Sequence, residues 1–167
     1  MTEQFTSRKR TRLAEYDYST LGSYFLTICT IDHACILGHI VGGSHVTPPF
    51  TQLSEAGMVV KKHIERIGTK YPYIQLDNYV VMPNHVHILL TITAHSGSTR
   101  ASTPTNAVIP RIMATFKRFV QKDLGNQIFQ SSFNDHIIRD EEDFRIRWNY
   151  IENNPQRWKS DKYYKEM

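Results

Sequence analysis

The sequence predicts an α+β domain, an antiparallel sheet of about four strands with helices packed against it. Three observations lead to this fold class. Runs dense in aromatic and β-branched residues mark strands, two segments carry apolar residues at helical spacing, and a third helical segment opens on an acidic cap. In order they read β-β-α-β-β-α-α, strand pairs mixed with helices rather than a strict alternation. A chain of 167 residues suits one domain built on a single core, here spanning 1–167.

The first strand runs from Ser23 to Ile31 (SYFLTICTI), and after the polar break Asp32–His33 a second runs from Ala34 to Val41; the two form an antiparallel hairpin. Gly42 to Pro49 is dense in breakers and reads as a loop. Ser54 caps a helix in which Val60, Ile64 and Ile67 recur as far as Gly68, with Lys61, Lys62, Glu65 and Arg66 on the other face. Leu76 to Met82 and His85 to Ile92 are two more apolar strands, joined by a β-turn at Met82-Pro83-Asn84-His85. Ala94 to Thr105 is a low-complexity loop. Val108, Ile112, Phe116, Phe119 and Val120 mark a second amphipathic helix, with Pro110 tolerated in its first turn. Asp140 caps the third, and Pro155 ends it near Asn154.

Hydrophobic residues make up 40% and charged residues 22%, a globular composition. Nothing approaches the ~18 apolar residues of a membrane helix, and no apolar stretch follows the N-terminal charges as in a secretory signal. Cys29 and Cys35 sit in apolar stretches and suggest no disulfide framework, so a cytoplasmic protein with reduced thiols is expected. The formal net charge of +4 is unspecific, but its placement is informative. Arg8, Lys9, Arg10 and Arg12 form one cluster in a basic N-terminal segment, residues 1–20, and Lys117, Arg118 and Lys122 form another. Both could neutralise phosphates, although the first also fits a solvated terminus.

His85-Val86-His87 is the sharpest local feature. Side chains at i and i+2 of a strand share a face, so both imidazoles project together while Val86, Ile88 and Leu90 point into an apolar layer. The pair suits one metal ion, or two histidines with ordinary hydrogen bonds. On the last helix Tyr150 and Asn154 lie one turn apart on one face, beside a stripe of Phe144, Trp148 and Ile151. With nine tyrosines in the chain, periodicity does not single out Tyr150.

The order of motifs narrows this. Met82-Pro83-Asn84-His85-Val86-His87 resembles the MPNHVH signature of single-tyrosine HUH transposases, in particular the REP-associated tyrosine transposases. Tyr16-Asp17-Tyr18-Ser19, the block from Tyr24 to Thr30, the segment from Asp135 to Glu142, and Tyr150-Ile151 with Asn154-Pro155 resemble that family's YDYS, YFVTICT, DHIIRDEE and YIxxNP blocks. Asn134 departs from the aromatic residue common there, and Phe129-Gln130 stands where the family usually has Trp-Gln. The resemblance runs from about Arg8 to Trp158 and implies a ferredoxin-like HUH nuclease domain. It also implies His85, His87 and Asn154 as ligands of Mg²⁺ or Mn²⁺, Tyr150 as nucleophile, and single-stranded or hairpin DNA as partner. The activity expected is cleavage and strand transfer through a 5′-phosphotyrosine, in a bacterial cytoplasm at the nucleoid. A domesticated protein that binds hairpins without cutting is the alternative, and monomer or homodimer is left open.

Overall fold

The computed structural model describes residues 20–44, 46–93 and 108–166. The element order is β1 (Gly22–Cys29), a 3-10 turn (Ile31–His33), β2 (Gly38–Val41), β3 (Phe50–Leu53), α1 (Glu55–Lys70), β4 (Ile74–Val81) and β5 (His85–Ile92). Then come α2 (Val108–Leu124), β6 (Asn134–Ile137), α3 (Glu141–Asn153) and a second 3-10 turn (Pro155–Ser160). Four strands form one sheet in the order β4-β5-β1-β6, with every neighbouring pair antiparallel. The α+β class therefore holds. The path β1-α1-β4-β5-α2-β6 is the ferredoxin-like arrangement. The β2–β3 hairpin is inserted ahead of α1, and α3 is added after β6.

The sheet has two unlike faces because the strand period is two. Tyr24, Leu26 and Ile28 of β1 and Val86, Ile88 and Leu90 of β5 point to one face. There they meet Val60, Ile64 and Ile67 of α1 and Ile112, Met113, Phe116 and Val120 of α2. Val86, Ile88 and Leu90 are fully buried, each worth about 1.5–3 kcal/mol in removed apolar surface. The opposite face carries a smaller cluster of Phe25, Leu89 and Ile151, with Phe144 and Tyr150 packed on it. Helix α3 thus lies across the sheet from α1 and α2.

Helix boundaries follow the caps. Ser54 Oγ accepts from Gly57 N and opens α1. Asp140 accepts from Asp143 N and opens α3. Both caps were legible. Three expectations change. Residues Ala34–Val41 do not pair with β1; only Gly38–Val41 is a strand, and it pairs with β3. Both sides of β1 are taken, by β5 and β6, and Asp32 and His33 take left-handed backbone angles (φ 54° and 52°) in the 3-10 turn that lead the chain away from it. Strands β3 and β6 are short and polar, so neither shows an apolar period. On α3 the apolar stripe is only partly buried: Ile151 is 2% exposed, but Trp148 is 38% exposed. The basic segment containing Arg8, Lys9, Arg10, Arg12, Tyr16 and Tyr18, like the loop from Ala94 to Thr105, lies outside the described residues.

Gly57 makes a close approach that bears on the site. A Cβ there would stand 2.0 Å from the Leu37 carbonyl oxygen and 3.2 Å from Leu53 Cβ. Leu37 N in turn donates to Pro83 O at 2.9 Å, steadying the turn ahead of the histidines. Backbone cannot yield as a side-chain tip can, so Gly57→Ala is expected to cost about 2 kcal/mol or more. Urea denaturation checks this, and an unchanged midpoint would refute the close packing of α1 on Leu37.

Candidate active site

Register brings the first residues together. Antiparallel pairing sets Cys29 opposite His85, Thr27 opposite His87 and Phe25 opposite Leu89, all on the α3 face. His85 and His87 are 0% and 1% exposed. Each ring is held through Nδ1, His87 by Thr27 Oγ1 at 2.8 Å and His85 by Asn84 Oδ1 at 2.8 Å. The Asn84 amide is oriented by its other end, where Nδ2 donates to the carbonyls of His33 (3.1 Å) and Tyr163 (2.8 Å). Its oxygen must then accept, so His85 carries its proton on Nδ1 and turns a lone pair outward from Nε2.

The Nε2 atoms of both histidines are buried without a hydrogen-bond partner among the described residues, and so is Asn154 Oδ1. Orphaned polar atoms of this kind are costly unless something fills the space between them. Asp161 faces the same space. One ligand atom each from His85, His87 and Asp161 lie within 4.8 Å of one another. Two imidazole nitrogens, an amide oxygen and a carboxylate are a suitable donor set for a divalent cation.

Helix α3 supplies the nucleophile candidate. Tyr150 Oη donates to Asp161 Oδ2 at 3.1 Å, and Asn154 Nδ2 donates to the same oxygen at 3.2 Å. Tyr163 N donates to Asp161 Oδ1 at 2.7 Å. The phenol ring meets His87 edge-on at 5.1 Å and Phe25 at 5.9 Å. Tyr150 and Asn154 thus share a face, as their spacing implied, and that face meets the histidines. Asp161 was invisible in the sequence. It lies beyond Pro155 in a polar segment without periodicity, and only the 3-10 turn Pro155–Ser160 carries it back over the sheet. Asn84 read as a turn residue, with no signal that it orients His85.

Burial dominates the titration of the site. It pushes the Tyr150 phenol up to about 12, and the Asp161 carboxylate adds to the shift. Burial also lowers His85 to about 4 and holds His87 well below the usual histidine value. Both imidazoles are therefore neutral at neutral pH. Unfolded histidine titrates near 6.5, so between that value and about 4 the unfolded chain binds more protons than the folded one. Stability of the chelated protein is expected to fall as pH drops through this window, by roughly 3 kcal/mol from His85 alone. Behind burial, the Asp161 carboxylate and the Asn154 side chain oppose this lowering, while His33 and Lys162 add to it. A melting temperature in EDTA that stays level across this range would refute the assignment.

The basic residues of α2 do not join this site. Lys117 Nζ donates to the carbonyls of Gln130, Ser131 and Ser132 at 2.7, 3.1 and 2.8 Å. Arg118 and Lys122 are exposed on a helix that packs on the other face of the sheet.

No family model matches the chain. An uncharacterized protein of Haemophilus influenzae is 32% identical over 174 residues, covering 94% of this chain and 93% of that protein. Among solved structures, a REP-associated tyrosine transposase bound to a REP hairpin superposes with a TM-score of 0.59 at 21% identity, covering 87% of this chain and 74% of that one. At that identity the likeness is one of fold. The chain belongs to one family with the Haemophilus influenzae protein, and it has the fold of the tyrosine transposase class that its motifs resemble.

Proposed function

We propose that this chain, as a single HUH domain, is a single-stranded DNA endonuclease and strand transferase that cuts near hairpins through a 5′-phosphotyrosine at Tyr150. One observation carries the reading: Tyr150 Oη and the two orphaned imidazole nitrogens converge on Asp161 in one buried site. The hairpin bound to the structural neighbour supports the same substrate class for this chain.

His85, His87 and Asn154 would hold Mg²⁺ or Mn²⁺, which when bound polarises a non-bridging phosphate oxygen. Asn84 and Thr27 hold the imidazoles in place, so no rotamer has to be found during reaction. Phe25, Leu89 and Ile151 form the dry floor beneath the phenol. Tyr150 Oη attacks phosphorus as the P–O3′ bond breaks. The phenolic proton moves to Asp161 Oδ2, its hydrogen-bond partner, and ends on the departing 3′ oxygen. A carboxylate beside a phenol of pKa about 12 favours attack coupled to this proton transfer over a standing phenolate. One ester replaces another, so a free 3′-OH reverses the step and joins strands without a further energy source. Arg8, Lys9, Arg10 and Arg12, together with Arg118 and Lys122, would neutralise backbone phosphates of the DNA; Lys117, whose ammonium holds three carbonyls, steadies the loop at Gln130–Ser132.

Incubation with a labelled hairpin library and Mn²⁺, resolved on denaturing gels, tests the reading. A protein–DNA adduct that survives denaturation is the expected result. Binding without any adduct would instead fit a hairpin-binding protein that does not cut.

A further inference from the structure

Arg147 precedes Tyr150 by one turn on the same face of α3. Its guanidinium lies 5.5 Å from the centroid of the Phe25 ring. That ring stacks on His87 at 5.0 Å and meets Tyr150 edge-on at 5.9 Å. A positive charge therefore stands on the Phe25 ring that touches both His87 and Tyr150.

The guanidinium is held in this orientation from two elements. Nε donates to Asp143 Oδ1 at 3.3 Å, and Nη2 lies 3.4 Å from His136 Nε2. His136, on β6, stands 2.7 Å from Asp143 Oδ2 and pairs across the sheet with Phe25. Nη1 donates to nothing among the described residues. As a structural ion pair this arrangement is modest: an i,i+4 pair with a 31% exposed Arg side chain stabilises a helix by about 0.3–0.5 kcal/mol. The site meanwhile contains one carboxylate and two neutral imidazoles, so a fixed protein cation adds to what a bound divalent ion would supply to an arriving phosphodiester. Lys162, whose ammonium sits 4.6 Å from the Tyr163 ring centroid, is exposed. Arg147 has both the charge and the fixed fork geometry that suits phosphate oxygens.

We propose that Arg147 is a catalytic residue whose free guanidinium nitrogen donates to a non-bridging oxygen of the single-strand phosphate facing Tyr150. The inference rests on the single-stranded DNA reading above. The motif resemblance did not mark this residue, and Asp143 and His136 become its positioning residues.

The test uses full-length protein carrying Tyr150→Phe, so that DNA stays uncut. A fluorescein-labelled hairpin with a single-stranded dT flank is bound in Mn²⁺ at several salt concentrations, and anisotropy gives the affinity. Arg147→Gln is expected to weaken binding about tenfold and to lower the salt slope by about 0.7, one single-strand contact. Arg147→Lys should keep the slope, and Arg145→Ala, exposed on the same helix, should change neither. Arg147→Leu, which still covers Phe25, repeats the measurement if the Gln variant is unstable. An unchanged slope in folded Gln or Leu protein overturns the proposal. Wild-type adduct formation on the same oligonucleotide reports the cleavage reading separately: no adduct with a lowered slope sinks cleavage and keeps the contact. No measurable binding sinks both.

Discussion

Tyr150→Phe is expected to bind hairpin DNA like the wild type and to form no adduct that survives denaturation, a loss of at least about a thousandfold. The substitution removes one hydroxyl and keeps the ring, so the edge-on contacts with His87 and Phe25 persist. Asp161 loses one donor of three and keeps those from Asn154 and the Tyr163 backbone. The stability cost of that single bond is about 1 kcal/mol, too small to unfold the domain. Loss of the adduct with intact binding therefore isolates chemistry from recognition. An adduct that persists in the Phe variant would move the nucleophile elsewhere, and Tyr163, whose ring lies 4.7 Å from that of His85, would be the first replacement to examine.

The second large effect concerns the cation. Wild-type protein at a Mn²⁺ concentration one hundred times its dissociation constant should gain about 2.7 kcal/mol of stability. His85→Ala and His87→Ala should each lose most of that gain, because each removes one of two adjacent imidazole donors. Asp161→Asn keeps the shape of the side chain and removes its charge, so a smaller drop in affinity is expected. Each variant is compared with itself with and without metal, which separates ligand loss from any change in the folded apo-protein. Equal stabilisation of wild type and both alanine variants, seen in melting curves and calorimetric titration, would dismiss the histidine pair as ligands.

Much of the molecule was legible in the sequence for one reason: local pattern maps onto local geometry. A strand period of two put His85 and His87 on one face and Val86, Ile88 and Leu90 on the other, and the sheet obeys it. Ser54 and Asp140 capped their helices because a side-chain oxygen reaches a backbone N–H three residues on. The i,i+4 spacing of Tyr150 and Asn154 set them on one face, where both reach Asp161.

What local pattern could not carry was decided by long-range packing. Strand partners were misassigned because β2 is apolar enough to join the sheet, yet both sides of β1 are taken and it pairs with β3 instead. Strands β3 and β6 carry no apolar period, since an edge or hairpin strand of four residues buries little, and only their partners make them strands. Asp161 and Asn84 contribute through their reach to residues distant in sequence, Asn84 bonding to Tyr163 and Asp161 standing against His85 and His87. Sequence by itself therefore determined which polar and titratable residues this protein carries and on which faces of their elements they stand. Only the tertiary structure decided which of them meet, because a buried polar atom's partner is set by where chain segments far apart in sequence pack together.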